Sequence, residues 1–145
     1  MTPAPESAPA RILLVEDNAA DIYLFRQALQ LAGLTFELTV IQDGDEALTV
    51  ARSDPKRSAI GIPDLLVLDL NLPKVGGYQV LEAVRHNPDL ARLAVVIVTS
   101  SEASQDYEKC AALGVSRYIP KPLELDDFLR IGEIIKKLLA EAQSE

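Results

Sequence analysis

The apolar positions of the 145-residue chain fall into two alternating kinds of segment. Three are short and unbroken: Arg11–Val15 (RILLV), Asp64–Leu68 (DLLVL) and Leu93–Val98 (LAVVIV). Runs of this length, rich in branched side chains, predict strands buried on both faces, as in a parallel sheet. Leu34–Gln42 (LTFELTVIQ) partly alternates, so one face can be wet, which suits an edge strand. Ser116–Pro120 (SRYIP) is short and ends in proline, which also suits an edge. Between these runs the spacing becomes helical. Ile22, Phe25, Ala28, Leu29 and Ala32 share a face, with Gly33 as a stop signal. Ala47, Leu48 and Ala51 mark a second helix. Val80, Leu81 and Val84 mark a third, ending before Pro88. Tyr107, Cys110, Ala111 and Gly114 have i, i+3, i+4, i+7 spacing, and Asp126 to Ala142 forms the longest helix. Five strands alternating with five helices predict a doubly wound α/β fold, a parallel sheet with helices on both sides.

Composition narrows this picture. No internal repeat or linker interrupts the alternation, so residues 11–145 are expected to form one domain. Residues 1–10, rich in Pro and Ala, are expected to be a short disordered lead. Apolar residues make up 48% of the chain, ample for one core. The net charge of −8 argues against a basic nucleic-acid footprint and against an anionic membrane surface. The single cysteine allows neither an internal disulfide nor a zinc cluster, and no signal peptide or spanning segment is visible. A cytoplasmic location is the expectation.

In open α/β sheets, ligands bind beyond the carboxyl ends of the strands. Glu16 and Asp17 follow RILLV, Asp69 follows DLLVL, Thr99 follows LAVVIV, and Lys121 with Pro122 follows SRYIP. Any one polar strand end is ordinary; the combination is not. Carboxylates crowded together repel and call for a cation, and hard oxygen donors favour Mg²⁺. A Mg²⁺ held this way keeps an open position for a phosphoryl oxygen. Lys121 can pair with a second oxygen and Thr99 can donate to a third. Asp69 is then placed as the nucleophile that forms an acyl phosphate.

The motifs ILLVEDN, DLLVLDLNLP, VVIVTS and YIPKP together resemble the receiver domain of two-component response regulators, over essentially Arg11 to Ala142. That resemblance implies a flavodoxin-like sheet of order 2-1-3-4-5. It implies Asp69 as the phosphoacceptor, supplied by a phosphohistidine on a sensor histidine kinase. It implies Mg²⁺ held by Asp17 and Asp69, with Glu16 helping and Asn71 offering its backbone carbonyl. Thr99 and Tyr118 would form a switch pair, Lys121 would clamp the phosphoryl group, and the Lys121–Pro122 peptide would be cis. The wording VEDNAAD with DLNLPKVGGYQVL, and the long segment Arg52–Pro63 (RSDPKRSAIGIP), resemble the stand-alone regulators paired with bacterial phytochrome kinases. The expected activity is therefore that of a phosphorylation switch acting on itself.

Three rivals stand beside this reading. An aspartate-nucleophile phosphatase would want a second aspartate at position 71, where this chain has Asn71. A nucleotide-binding module would want a glycine-rich loop after the first strand, where this chain has EDNAAD. An interaction scaffold would keep the acidic rim and leave Asp69 unmodified. In the last helix, Leu125, Phe128, Leu129, Ile131, Ile134, Ile135, Leu138 and Leu139 cover more than the roughly 100° stripe that one core contact needs. The excess predicts a homodimer through Phe128, Ile131, Ile135 and Leu138. His86 is expected at a helix end, Cys110 as a small buried hydrophobe, and Asp21, Asp43 and Asp45 as helix-start and turn residues.

Overall fold

Strand by strand, the unbroken runs become the middle of a sheet because both of their faces are covered. A computed structural model describes residues 8–101 and 103–143. It contains β1 (Ala10–Val15), α1 (Ala19–Leu31), β2 (Phe36–Ile41), α2 (Gly44–Arg52), β3 (Leu65–Leu68), α3 (Gly77–His86), β4 (Val95–Thr99), α4 (Ser104–Ala112), β5 (Arg117–Pro120), α5 (Leu125–Leu129) and α6 (Ile131–Gln143). The sheet order is β2-β1-β3-β4-β5, and every pair is parallel. The partly alternating segment is edge strand β2, whose side chains alternate between half-buried and exposed until Ile41. The expected N-terminal lead lies outside the described residues except for its last three, and Ala10 already belongs to β1.

The period of two along each strand divides the core in half. Leu13, Val15, Leu66, Leu68, Val95 and Ile97 face α2, α3 and α4. Ile12, Leu14, Leu65, Val67, Val96 and Val98 face α1, α5 and α6. Burying each of these side chains fully contributes about 1.5–3 kcal/mol. Side chains also start the helices. Asn18 Oδ1 accepts the Asp21 amide at 3.0 Å to cap α1, and Asp43 Oδ1 accepts the Glu46 amide at 2.8 Å to cap α2. The long segment between α2 and β3 is tied to the sheet by Arg11, whose guanidinium donates to the carbonyls of Ile60 and Ile62.

The C-terminal helix comes as two segments, α5 and α6, joined at Arg130, which keeps right-handed helical angles, and the dimer face expected on it is corrected. Gly132 lets this arm lie against α1: a Cβ there would overlap the carbonyl of Ala28. The assigned dimer face belongs to the chain's own core. Phe128, Ile131 and Ile135 are buried against the sheet and α1, and Leu138 packs on their rim. The apolar stripe is wide because the arm must cover both the sheet and α1. α4 forms where the spacing places it, with Cys110 buried; Tyr107 and Ala111 are exposed, as is Gly114 just beyond its end, because this helix touches the sheet along a narrow line.

Candidate functional site

Parallel register brings the strand ends together. Val15 pairs with Leu68 across β1 and β3, so the residues that follow, Glu16 and Asp69, emerge side by side. The Asp69 amide donates to the Val15 carbonyl at 3.0 Å. Thr99, at the end of β4, pairs with Pro120, and the next amide, Lys121, donates to the Thr99 carbonyl at 2.8 Å. The order 2-1-3 reverses direction between β1 and β3, the place where doubly wound sheets open a crevice. Gly77 closes that crevice from below. A Cβ on Gly77 would overlap the Asp69 carbonyl and crowd Leu70, so only glycine lets α3 start directly under the acidic rim.

Carboxylate oxygens of Glu16, Asp17 and Asp69 lie within 4.8 Å of one another. Glu16 and Asp69 are buried, and Asp17 is exposed. Lys121 reaches into this group from β5's end. Its Nζ donates to Asp69 Oδ2 at 2.9 Å, to Glu16 Oε1 at 2.9 Å and to Asp21 Oδ2 at 2.8 Å. An ammonium has three N–H donors, so all three are in use.

Burial sets the protonation of this cluster, modified by its hydrogen bonds. Burial pushes the Glu16 carboxyl up to about 8, and its hydrogen bond with Asp69 adds to the shift. Burial also pushes Asp69 upward, but hydrogen bonds from Glu16, the Asn71 amide and Lys121 outweigh it and hold Asp69 below the usual carboxylate range. Asp69 therefore stays ionised, the state a nucleophile needs, while Glu16 carries a proton that a cation can displace. Burial disfavours the Lys121 charge, but the hydrogen bonds it donates to Asp21, Asp69 and Glu16 overcome it and raise its pKa.

Thr99 is fully buried. Its Oγ1 accepts from the Ser101 amide at 3.2 Å and from Asn71 Nδ2 at 3.4 Å, which leaves its own O–H as the group available to an incoming acceptor. Asn71 Nδ2 also donates to Ser100 Oγ at 3.2 Å, and the Asn71 amide donates to Asp69 Oδ1 at 3.0 Å. Tyr118 lies on β5 opposite Ile97 of β4. Its ring meets Tyr107 edge-on at 5.3 Å, and its hydroxyl donates to the Ser101 carbonyl at 3.5 Å.

The expected cis peptide at Lys121–Pro122 is corrected, since every peptide bond among the described residues is trans. An X–Pro bond prefers trans by about 0.5–1 kcal/mol, and Lys121 meets its three carboxylates with a trans bond after it. One further site residue is Asp21, which the sequence marks only as a helix-start residue. It stands three residues past the Asn18 cap, where a capping-box carboxylate would turn back to the backbone. Here it turns to Lys121 instead. An acid at that position beside the rim is the signal that marked it.

A five-stranded parallel sheet of this order, with an acidic trio, a threonine and a lysine at its carboxyl rim, defines a receiver-type fold. The chain belongs to the response regulator receiver domain family, which it matches over residues 12–132. It is 35% identical over 137 residues to the response regulator Rcp1 of Synechocystis, spanning 94% of this chain and 93% of that one. Its fold matches the phosphorylated cyanobacterial phytochrome response regulator RcpA with a TM-score of 0.82 at 35% identity, covering 92% of this chain and 95% of that one. It matches the Mn²⁺-bound form of Rcp1 with a TM-score of 0.76 at 35% identity, covering 88% and 92%. The donor set of this chain fits a hard divalent cation such as Mg²⁺: three carboxylates, all oxygen, close enough to share one ion.

Proposed function

We propose that this chain is a phosphorylation switch in which Asp69 accepts a phosphoryl group from a histidine kinase of the phytochrome type. The observation that carries this reading is the Lys121 ammonium, 2.9 Å from a buried Asp69 inside a carboxylate trio that fits a divalent cation. The relatives named for phytochrome signalling support the choice of kinase.

In the proposed reaction an Asp69 carboxylate oxygen attacks phosphorus. The new O–P bond forms as the N–P bond of the phosphohistidine breaks, and the bonding electrons stay on the imidazole nitrogen. Glu16, Asp17 and Asp69 would hold Mg²⁺, with the Asn71 carbonyl as a further ligand, and the ion would supply positive charge to the transferring group. Lys121 would clamp one phosphoryl oxygen, and the free Thr99 O–H would donate to another. Buried Thr99 moving toward the phosphoryl group would leave space for Tyr118, whose contact with Tyr107 ties that change to the exposed surface of α4. The chemistry of the chain is confined to its own phosphorylation and dephosphorylation.

On this reading the signal leaves by protein contact, in the cytoplasm, with no nucleic acid involved. No helix among the described residues is long and apolar enough to cross a membrane. A second copy of the chain is the partner we propose. It would meet apolar side chains that the chain leaves exposed, among them Tyr107, which packs on Tyr118, and Leu123 and Leu125 after β5, and sedimentation of the phosphorylated protein tests it.

The test of the main reading is intact mass after incubation with Mg²⁺ and acetyl phosphate. One phosphoryl group should appear, and it should be absent from Asp69→Asn and from a chelated sample. No gain, with a cognate kinase also failing, would leave the scaffold reading in its place.

A further inference from the structure

Asp21 is the one carboxylate on Lys121 that the switch chemistry does not consume. Glu16 and Asp69 both belong to the trio that fits a divalent cation, and Asp69 becomes the acyl phosphate. Asp21 belongs to neither group, yet its contact with Lys121 Nζ, at 2.8 Å, is as short as the other two. It sits in the first turn of α1, where the Asn18 cap holds its backbone, and its side chain is largely shielded, 23% exposed. We propose, building on the switch reading above, that Asp21 is a positioning residue. It keeps the Lys121 ammonium at the site while Glu16 and Asp69 turn to the metal and the phosphoryl group.

The donor count supports this role. Lys121 has three N–H groups on three acceptors. Once Glu16 and Asp69 are engaged elsewhere, two donors are free for phosphoryl oxygens and the third remains on Asp21. Without Asp21, a long and rotamer-rich side chain would have no acceptor independent of the reaction, and the ammonium would have to be ordered at each phosphorylation. The charge of Asp21 also opposes an incoming anion. An ammonium at 2.8 Å screens most of that repulsion, so positioning is the larger effect.

The experiment compares the full chain with Asp21→Asn, which keeps the shape of the first turn and removes the charge. Asp45→Asn, an acidic residue in the first turn of α2 and away from the site, controls for loss of a helix-end charge. Two readouts are taken: the rate of labelling by acetyl phosphate across donor concentrations, and the ¹⁵N resonance of the Lys121 ammonium in Mg²⁺-loaded, unphosphorylated protein. Asp21→Asn should lower the maximal labelling rate about tenfold and broaden or lose the slowly exchanging ammonium signal, with the half-saturating Mg²⁺ changed less than twofold. Asp45→Asn should change neither. If Asp21→Asn labels at the wild-type rate with an unchanged ammonium signal, or slows only as much as Asp45→Asn, the inference is overturned while the switch reading stands. If the wild-type chain itself takes no phosphoryl group, the switch reading falls and the inference falls with it.

Discussion

Gly77 lies directly beneath Asp69: a Cβ added to this glycine would overlap the Asp69 carbonyl oxygen. The first residue of α3 and the residue that follows β3 are therefore in backbone contact, and the side chain of Asp69 is held over the crevice by a helix that cannot approach with any larger residue. Gly77→Ala must push α3 away or tilt the Asp69 backbone. We expect a loss of about 1–3 kcal/mol in chemical denaturation, the usual cost of overpacking. Labelling by acetyl phosphate should fall in the fraction that remains folded. A variant with wild-type stability and labelling would show that α3 relaxes freely here.

Ile135 distinguishes a core role from an interface role. It is fully buried in the chain's own core beside Phe128, Ile131 and Leu139. Ile135→Ala should cost about 2–5 kcal/mol, and the cost should be the same at micromolar and at hundredfold higher protein concentration. A destabilisation that disappears at high concentration would mean that a second chain covers this position.

The acidic trio makes stability and metal affinity depend on pH. The Glu16 value of about 8 lies above its ordinary 4.5. Its contribution to the metal-free fold is therefore complete below about 4.5 and is lost as the pH rises through 8. Asp69 is lowered, so its contribution has the opposite sign: present above its ordinary 3.8 and lost as acid protonates it. The melting temperature of chelated protein should fall between pH 5 and pH 8, and Mg²⁺ should reverse that fall. Mg²⁺ affinity should rise by about tenfold per pH unit up to about pH 8, because the ion displaces one proton. Calorimetry in buffers of different ionisation heat reads that proton directly, and Glu16→Gln should abolish its release.

Arg85 ties the loops at the opposite end of the sheet. Its guanidinium donates to Leu113 O at 2.7 Å, Leu93 O at 2.7 Å, Ala91 O at 3.2 Å and Gly114 O at 3.2 Å. Burial lowers its pKa from the usual value, and no ion pair to it is seen among the described residues. A lysine has no planar fork to reach several carbonyls at once. Arg85→Lys should cost about 1–3 kcal/mol in urea denaturation. Amide exchange should quicken at Gly114 and Leu93, with labelling at Asp69 unchanged.

Much of this architecture was legible along the chain. RILLV, DLLVL and LAVVIV are strands because continuous branched apolar residues can only be satisfied between two layers. The polar residue after each run marks the carboxyl rim, so Glu16, Asp17, Asp69, Thr99 and Lys121 could be named before any contact was known. The edge character of β2 was visible in the alternation of Phe36–Ile41. On α4 the spacing marked the helix and the buried Cys110, but not how much of it is covered: helical spacing records which residues could share a face, whereas burial depends on how much of the helix touches the sheet, and only Cys110 does so fully.

Local sequence decides what each segment forms and what stands at its end, because backbone propensity, side-chain period and capping act over a few residues. Tertiary structure decided who meets whom. Lys121 contacts Glu16, Asp21 and Asp69 across separations of 105, 100 and 52 residues. Those meetings follow from parallel register and strand order, which no local pattern contains. The same holds for the wide apolar stripe of the C-terminal arm: its composition signalled two contacts, and only the packing of α6 against α1 and the sheet showed that both lie within one chain.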